Sequence, residues 1–113
     1  MIPSNHVTWF QLPAEDEERA WHFYEQVFGW STEEVYSNKT MMGAIHGEIV
    51  RRSEELKETR LVIRVIDVDG MTKQILKCGG KIVKERTEIP EIRMMYVSFS
   101  DTEGNIINIV GDM

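Results

Sequence analysis

Two arginines, Arg60 and Arg64, stand in "RLVIRVI", a run whose β-branched residues mark it as a strand. In an extended chain Arg60, Val62 and Arg64 share one face, and Leu61, Ile63 and Val65 share the other. Guanidinium forks suit a carboxylate or phosphate on a small organic molecule. Pairing with glutamates on neighbouring strands is the other reading of the same residues. Asn108 is a second polar residue in strand-like surroundings, set between Ile107 and Ile109 in "EGNIINIVGD". A buried amide there requires hydrogen-bond partners, from a ligand, a neighbouring side chain or water.

The remaining chemically capable residues are scattered. His6 starts the first strand-like run, His22 lies off the apolar face of a helix, and His46 sits in the turn-like "AIHGEI" beside Glu48. His6, His46 and Glu48 would form a metal-type donor set only if their loops converged, which the spacing does not demand. Tyr24 falls on an apolar helix face and reads as core, and Trp30, after the helix, reads as a packing aromatic. Cys78 is the single cysteine, so no intrachain disulfide is possible; on the apolar face of the second helix it is expected to be buried and inert. The "CGGK" stretch ends a helix rather than opening one, so it is not a phosphate loop.

The elements that must position these residues occur twice. Residues 6–12, "HVTWFQL", read as a strand ended by Pro13. A helix follows, with Ala20, Phe23, Tyr24, Val27 and Phe28 at amphipathic spacing, acidic residues in its first turn and Gly29 as its stop. The second strand, "RLVIRVI", leads into a helix with Val68, Met71, Ile75 and Cys78 on one face and Gly80 as its stop. Asp16 and Asp67 lie 51 positions apart, as do Gly29 and Gly80, which marks an internal duplication. Three strand-like runs follow each helix, so each unit reads β–α–β–β–β. The polar stretch 53–59 serves as a hinge between a module at 1–52 and a module at 60–113. The fold class is α+β, a single domain of paired modules over residues 1–113.

Length and composition set bounds on partners. At 113 residues, 42% hydrophobic and 28% charged, the chain suits one soluble domain. A formal net charge of −6 argues against a nucleic-acid partner. No run approaches the roughly 20 apolar residues of a membrane span, and no basic segment precedes an apolar one at the start. A cytoplasmic location without a membrane partner is the expectation.

The stretches "AEDEERAWHFYEQVFGW", "GGKIV", "EIP" and "FSDTEGNIINIV" resemble the vicinal-oxygen-chelate superfamily, the group of glyoxalases, bleomycin-resistance proteins and extradiol dioxygenases. The resemblance covers nearly the whole chain and is strongest to compact single-domain glyoxalase-like proteins. It implies a curved, mostly antiparallel sheet around a cup, a homodimer, and ligands drawn from the first and last strands of each module. Carried over with the repeat, those positions are Trp9, Arg51, Arg60 and Asn108. Indole and guanidinium groups do not ligate a cation, so no metal and no cofactor are expected. The expected ligand-binding set is Trp9, Gln11, Arg51, Arg60, Arg64 and Asn108, with Met94 and Tyr96 nearby, and the partner is a small anionic or partly apolar molecule. The competing reading is a metal-dependent glyoxalase-type lyase or isomerase, or a dioxygenase-like enzyme, with displaced ligands.

Overall fold

A computed structural model describes residues 4–29, 31–35, 38–42 and 46–113, the second and third of these as backbone pairing only. Trp30 lies outside the described residues. The chain forms two compact units, Trp9–Arg60 and Leu61–Met113, the latter joined by the residues up to Thr8.

In the first unit β1 (His6–Ala14) leads to α1 (Glu17–Phe28), then β2 (Ser31–Val35), β3 (Asn38–Met42) and β4 (His46–Arg51). The second repeats the order with β5 (Arg60–Arg64), α2 (Val68–Lys77), β6 (Lys81–Ile89), β7 (Met94–Ser100) and β8 (Ile106–Asp112). The pairing repeats as well. In β2-β3-β4-β1 the first two contacts are antiparallel and β1 runs parallel to β4; in β6-β7-β8-β5 the first two are antiparallel and β5 runs parallel to β8. Each module is therefore βαβββ, and the α+β fold of paired modules is as the sequence predicts.

The duplication is visible in the helix starts. Asp16 and Asp67 are both N-caps in extended backbone, and each carboxylate accepts a hydrogen bond at 3.0 Å from the backbone N–H three residues on, in Arg19 and Gly70. The stops differ. Gly29 ends α1 in the left-handed region at φ 67°. At the end of α2 that conformation belongs to Gly79, at φ 99°, and not to Gly80. The Gly79 and Gly80 amides donate to the Leu76 and Ile75 carbonyls, a Schellman closure that makes Gly80 the second residue beyond the cap. Gly80 is required for a different reason: a Cβ there would stand 2.5 Å from Ile75 Cγ2 and 3.1 Å from the Ser100 carbonyl.

Three further expectations are corrected. β1 continues through Pro13 to Ala14, because Leu12 and Ala14 hold the parallel register with Ile49 and Arg51 on either side of the proline. On α1 the buried stripe is Trp21 with Ala20 and Tyr24; Phe23, Val27 and Phe28 are more than half exposed. The helix is rotated so that Trp21, the largest side chain available, fills the core. Cys78 is exposed, since the helical run stops at Lys77 and the cysteine caps it with φ −95° and ψ 11°.

Each unit has its own core between helix and sheet. In the first, Ala14, Trp21 and Ile49 are buried, with Phe10, Leu12, Ala20 and Tyr24 against them. In the second, Val65, Val68, Val97 and Ile109 are buried among Ile63, Met71 and Ile75. Leu61, expected on the same face as Ile63 and Val65, is 42% exposed. The expected hinge contains a closed turn in which Ser53 and Leu56 exchange backbone hydrogen bonds and Leu56 is buried. Among the described residues no helix is long and apolar enough to cross a membrane.

Candidate functional site

Strand alternation leaves each unit one sheet face turned away from its helix. In the first unit Phe10, Leu12 and Ala14 of β1 belong to the core, so Trp9, Gln11 and Pro13 occupy the other face. On β4, Ile49 belongs to the core and Glu48 to that other face, opposite Gln11 in the ladder. Trp9 Nε1 donates to Glu48 Oε2 at 2.6 Å. Burial raises the Glu48 pKa above the ordinary glutamate value, opposed in part by hydrogen bonds from Trp9 and Gln11. Trp9 and Gln11 thus lie on one face around a carboxyl group that the sequence reading did not place there.

Arg51 does not join them. It shares the parity of Ile49, pairs with Ala14 and is exposed. The ladder shows why: Gln11 opposes Glu48, and Val62, 51 positions after Gln11, opposes Asn108. Glu48 is therefore the first-module counterpart of Asn108. The sequence does carry this relation, as "EIV" at 48–50 matched by "NIV" at 108–110; aligning on the glycines before these strands misplaces it. Arg60 is buried, and its Nη2 donates to the Glu55 carbonyl at 2.9 Å, so part of its donor capacity secures the inter-module segment.

In the second unit Val97 and Ile109 face the helix, which puts Ser98 and Asn108, paired across β7 and β8, on the opposite face. Ser98 Oγ donates to Asn108 Oδ1 at 2.6 Å, and both residues are buried. The amide is thus held by a neighbouring side chain, one of the alternatives open from sequence. Among the described residues no buried side-chain nitrogen or oxygen lacks a hydrogen-bond partner. Arg64 lies on the same face, with Nη2 2.9 Å from Asp112 Oδ1 and Nη1 3.9 Å from Met94 Sδ. The Asp112 side chain is 74% exposed, so the pair is solvent-screened and weak.

A second cation reaches this face. Lys84 Nζ sits 5.4 Å from the centre of the Tyr96 ring, and Lys84 lies opposite Ser98. Simple alternation along β6 would put Lys84 with Ile82, which packs into the core opposite Phe99. A register shift between Ile82 and Lys84 turns the lysine to the other face. Nothing in the sequence marks that bulge, and Lys84 escapes detection there for that reason.

The first face carries the Glu48 carboxyl group beside an indole that can only donate, with His46 of the same parity opposite Trp9; the second carries an amide already engaged by Ser98. Among the described residues no group of three or more histidine, cysteine or acidic side chains could hold a metal ion.

Two tandem βαβββ modules, each with a parallel first-to-last strand pair and a polar sheet face, define a glyoxalase-like fold. A family model described as bleomycin resistance protein-like N-terminal matches residues 6–43. A glyoxylase-like domain-containing protein of Didymella fabae is 26% identical over 118 residues, covering 93% of this chain and 92% of that one. Among solved structures, a glyoxalase/bleomycin resistance protein/dioxygenase superfamily member from Vibrio splendidus 12B01 aligns with TM-score 0.68 and 12% identity, over 92% of this chain and 96% of its own. A Streptomyces coelicolor methylmalonyl-CoA epimerase in complex with 2-nitronate-propionyl-CoA aligns with TM-score 0.69 and 13% identity, over 97% and 99%. The family model and the relative are glyoxalase- or bleomycin-resistance-type, and the solved structures share this chain's fold.

Proposed function

We propose that the protein is a metal-free binding protein for a small, anionic and partly apolar molecule, taken up on the sheet face of the second unit. The observation that carries this reading is the placement of Lys84 over the Tyr96 ring on the face that also bears Arg64 and the Ser98–Asn108 pair. The ammonium and guanidinium groups supply charge for a carboxylate or phosphate, and the tyrosine ring, Val62 and Val110 supply apolar area. A ligand carboxylate would compete with the exposed Asp112 for Arg64, a competition that costs little because a screened pair is worth about 0–1 kcal/mol.

A thermal-shift screen of small carboxylates and organic phosphates tests the reading. The wild type is expected to gain stability with at least one class, and Lys84→Met and Arg64→Met to fold normally and lose the response. Each charge-assisted bond removed should weaken binding by about 1.5–3 kcal/mol. Equal responses in the wild type and both variants would overturn the proposal. Homodimerisation, expected from the resemblance, is read from sedimentation velocity on the same samples.

Glu48 favours a second reading, proton transfer by a carboxyl group whose pKa is raised by burial. That reading predicts deuterium exchange at carbon next to a carbonyl in small test substrates, abolished by Glu48→Gln. For either reading, calorimetric titration with nickel, zinc, cobalt and manganese is expected to show no tight site. A stoichiometric site lost in Glu48→Gln would overturn the metal-free assignment.

A further inference from the structure

The helix side of the first unit bears an open surface cavity of about 380 Å³ whose lining includes Leu12, Pro13, Ala14, Ala20, Tyr24 and Ile49. This is within the range of small-molecule sites, roughly 300–1,000 Å³. It opens on the helix side of β1 and β4, and neither Trp9, Gln11 nor Glu48 lines it.

The internal repeat explains why space is left there. At the offset of 51, Ala14 corresponds to Val65 and Ala20 to Met71, while the strand registers match Ile49 with Ile109. In the second unit Val65 and Met71 occupy this layer of the core, Val65 being 3% exposed. The first unit puts its bulk at Trp21, where the second has Thr72, and leaves two alanines at the positions that the second fills. The same layer thus carries larger side chains in the second module and smaller ones, beside an open cavity, in the first.

The rim is polar and carries two cations, Arg52 and Lys57, against one carboxylate, Glu58. Arg52 is held in place: its Nε lies 2.9 Å from Glu15 Oε1, and its Nη1 donates to the Lys57 carbonyl at 2.7 Å. Lys57 is paired with Glu54, and both side chains are largely exposed, 65% and 92%. A ligand anion can take the place of Glu54 at little cost. We infer that this cavity is a second binding site, for a small, mostly apolar carboxylate whose body lies against Ala14, Ala20 and Tyr24 and whose charge meets Lys57.

The test is an amide NMR titration of the full chain with naphthalene-2-carboxylate and its uncharged carboxamide. Saturable shifts are expected at Ala20, Tyr24 and Lys57 with both probes. Ala20→Met installs the residue that the second module carries at this place; it should fold, raise the melting temperature and weaken both probes at least about tenfold. Should Ala20→Met fail to fold, Ala14→Val gives the same readout. Lys57→Met should weaken the carboxylate several-fold and leave the carboxamide unchanged, and Lys84→Met should affect neither. The inference fails if the wild type shows no saturable shifts at these residues in the millimolar range. It fails equally if the filled variants bind as the wild type does, or if the shifts fall at Tyr96 and vanish in Lys84→Met, which would assign the probes to the other site.

Discussion

The two modules share a backbone plan and differ in the chemistry they display on it. At matching places in the ladder the first carries Glu48 and the second Asn108. The first surrounds its carboxyl group with donors from Trp9 and Gln11 and keeps it partly desolvated. The second locks its amide to Ser98 and gathers Arg64, Lys84 and Tyr96 on the same face. One face thus displays a partly desolvated carboxyl group, and the other two cations and an aromatic ring. The cores differ as well, the second carrying Val65 and Met71 where the first has Ala14 and Ala20 beside an open cavity. Duplication fixes the pleat, the register and the caps; single side chains then set the charge of each face and the packing of each core.

Substitution at the matched core isoleucines probes this difference most strongly. Ile49 and Ile109 are each 2% exposed. Truncation to alanine typically costs about 2–5 kcal/mol, less where the site already borders empty space. Ile109→Ala is therefore expected near the upper end and Ile49→Ala near the lower, by chemical denaturation. Equal losses would show that the two cores are packed alike.

The helix caps sharpen the comparison from the other side, because here the modules should behave identically. Asp16→Ala and Asp67→Ala each remove one charge-assisted N-terminal bond and are expected to cost about 1 kcal/mol. A clear inequality in melting temperature would mean that one helix depends on its cap and the other on tertiary packing.

The smallest expected effects are in the pH dependence, and their signs oppose. The folded state raises the Glu48 pKa, so its contribution is fully present below the ordinary value of 4.5 and is lost as pH rises through the folded value. The folded state lowers the pKa of Asp101, chiefly through the Asn105 side chain and then the Asn105 and Glu103 amides. Its contribution is present above 3.8 and is lost as pH falls through the folded value. Melting curves recorded from about pH 3 to 8 should show Glu48→Gln gaining on the wild type as pH rises and Asp101→Asn removing part of the acid-side loss. A Glu48→Gln curve parallel to the wild type at every pH would show that the carboxyl group is not desolvated in solution.

Much of the frame is legible in the residues. Asp16 and Asp67, 51 positions apart, are N-caps because a short carboxylate before an apolar-periodic run reaches the third amide of any helix, whatever surrounds it. The parity of "RLVIRVI" separates Ile63 and Val65 from Val62 and Arg64 because side chains alternate on every strand. Local geometry likewise forbids metal ligation by Trp9, whatever face it occupies.

What the sequence by itself determined was therefore the repeat, the βαβββ order and the alternation of side chains along unbroken strands, all consequences of backbone geometry within a few residues. Only the tertiary structure decided which residues meet. Register between strands placed Glu48, not Arg51, opposite Gln11. A bulge carried Lys84 across the sheet to Tyr96. Helix rotation buried Trp21 and exposed Phe23, since which apolar stripe turns inward depends on the volume the facing sheet leaves open. These outcomes depend on side chains distant in the chain competing for the same space, and nearest-neighbour patterning carries no record of that competition.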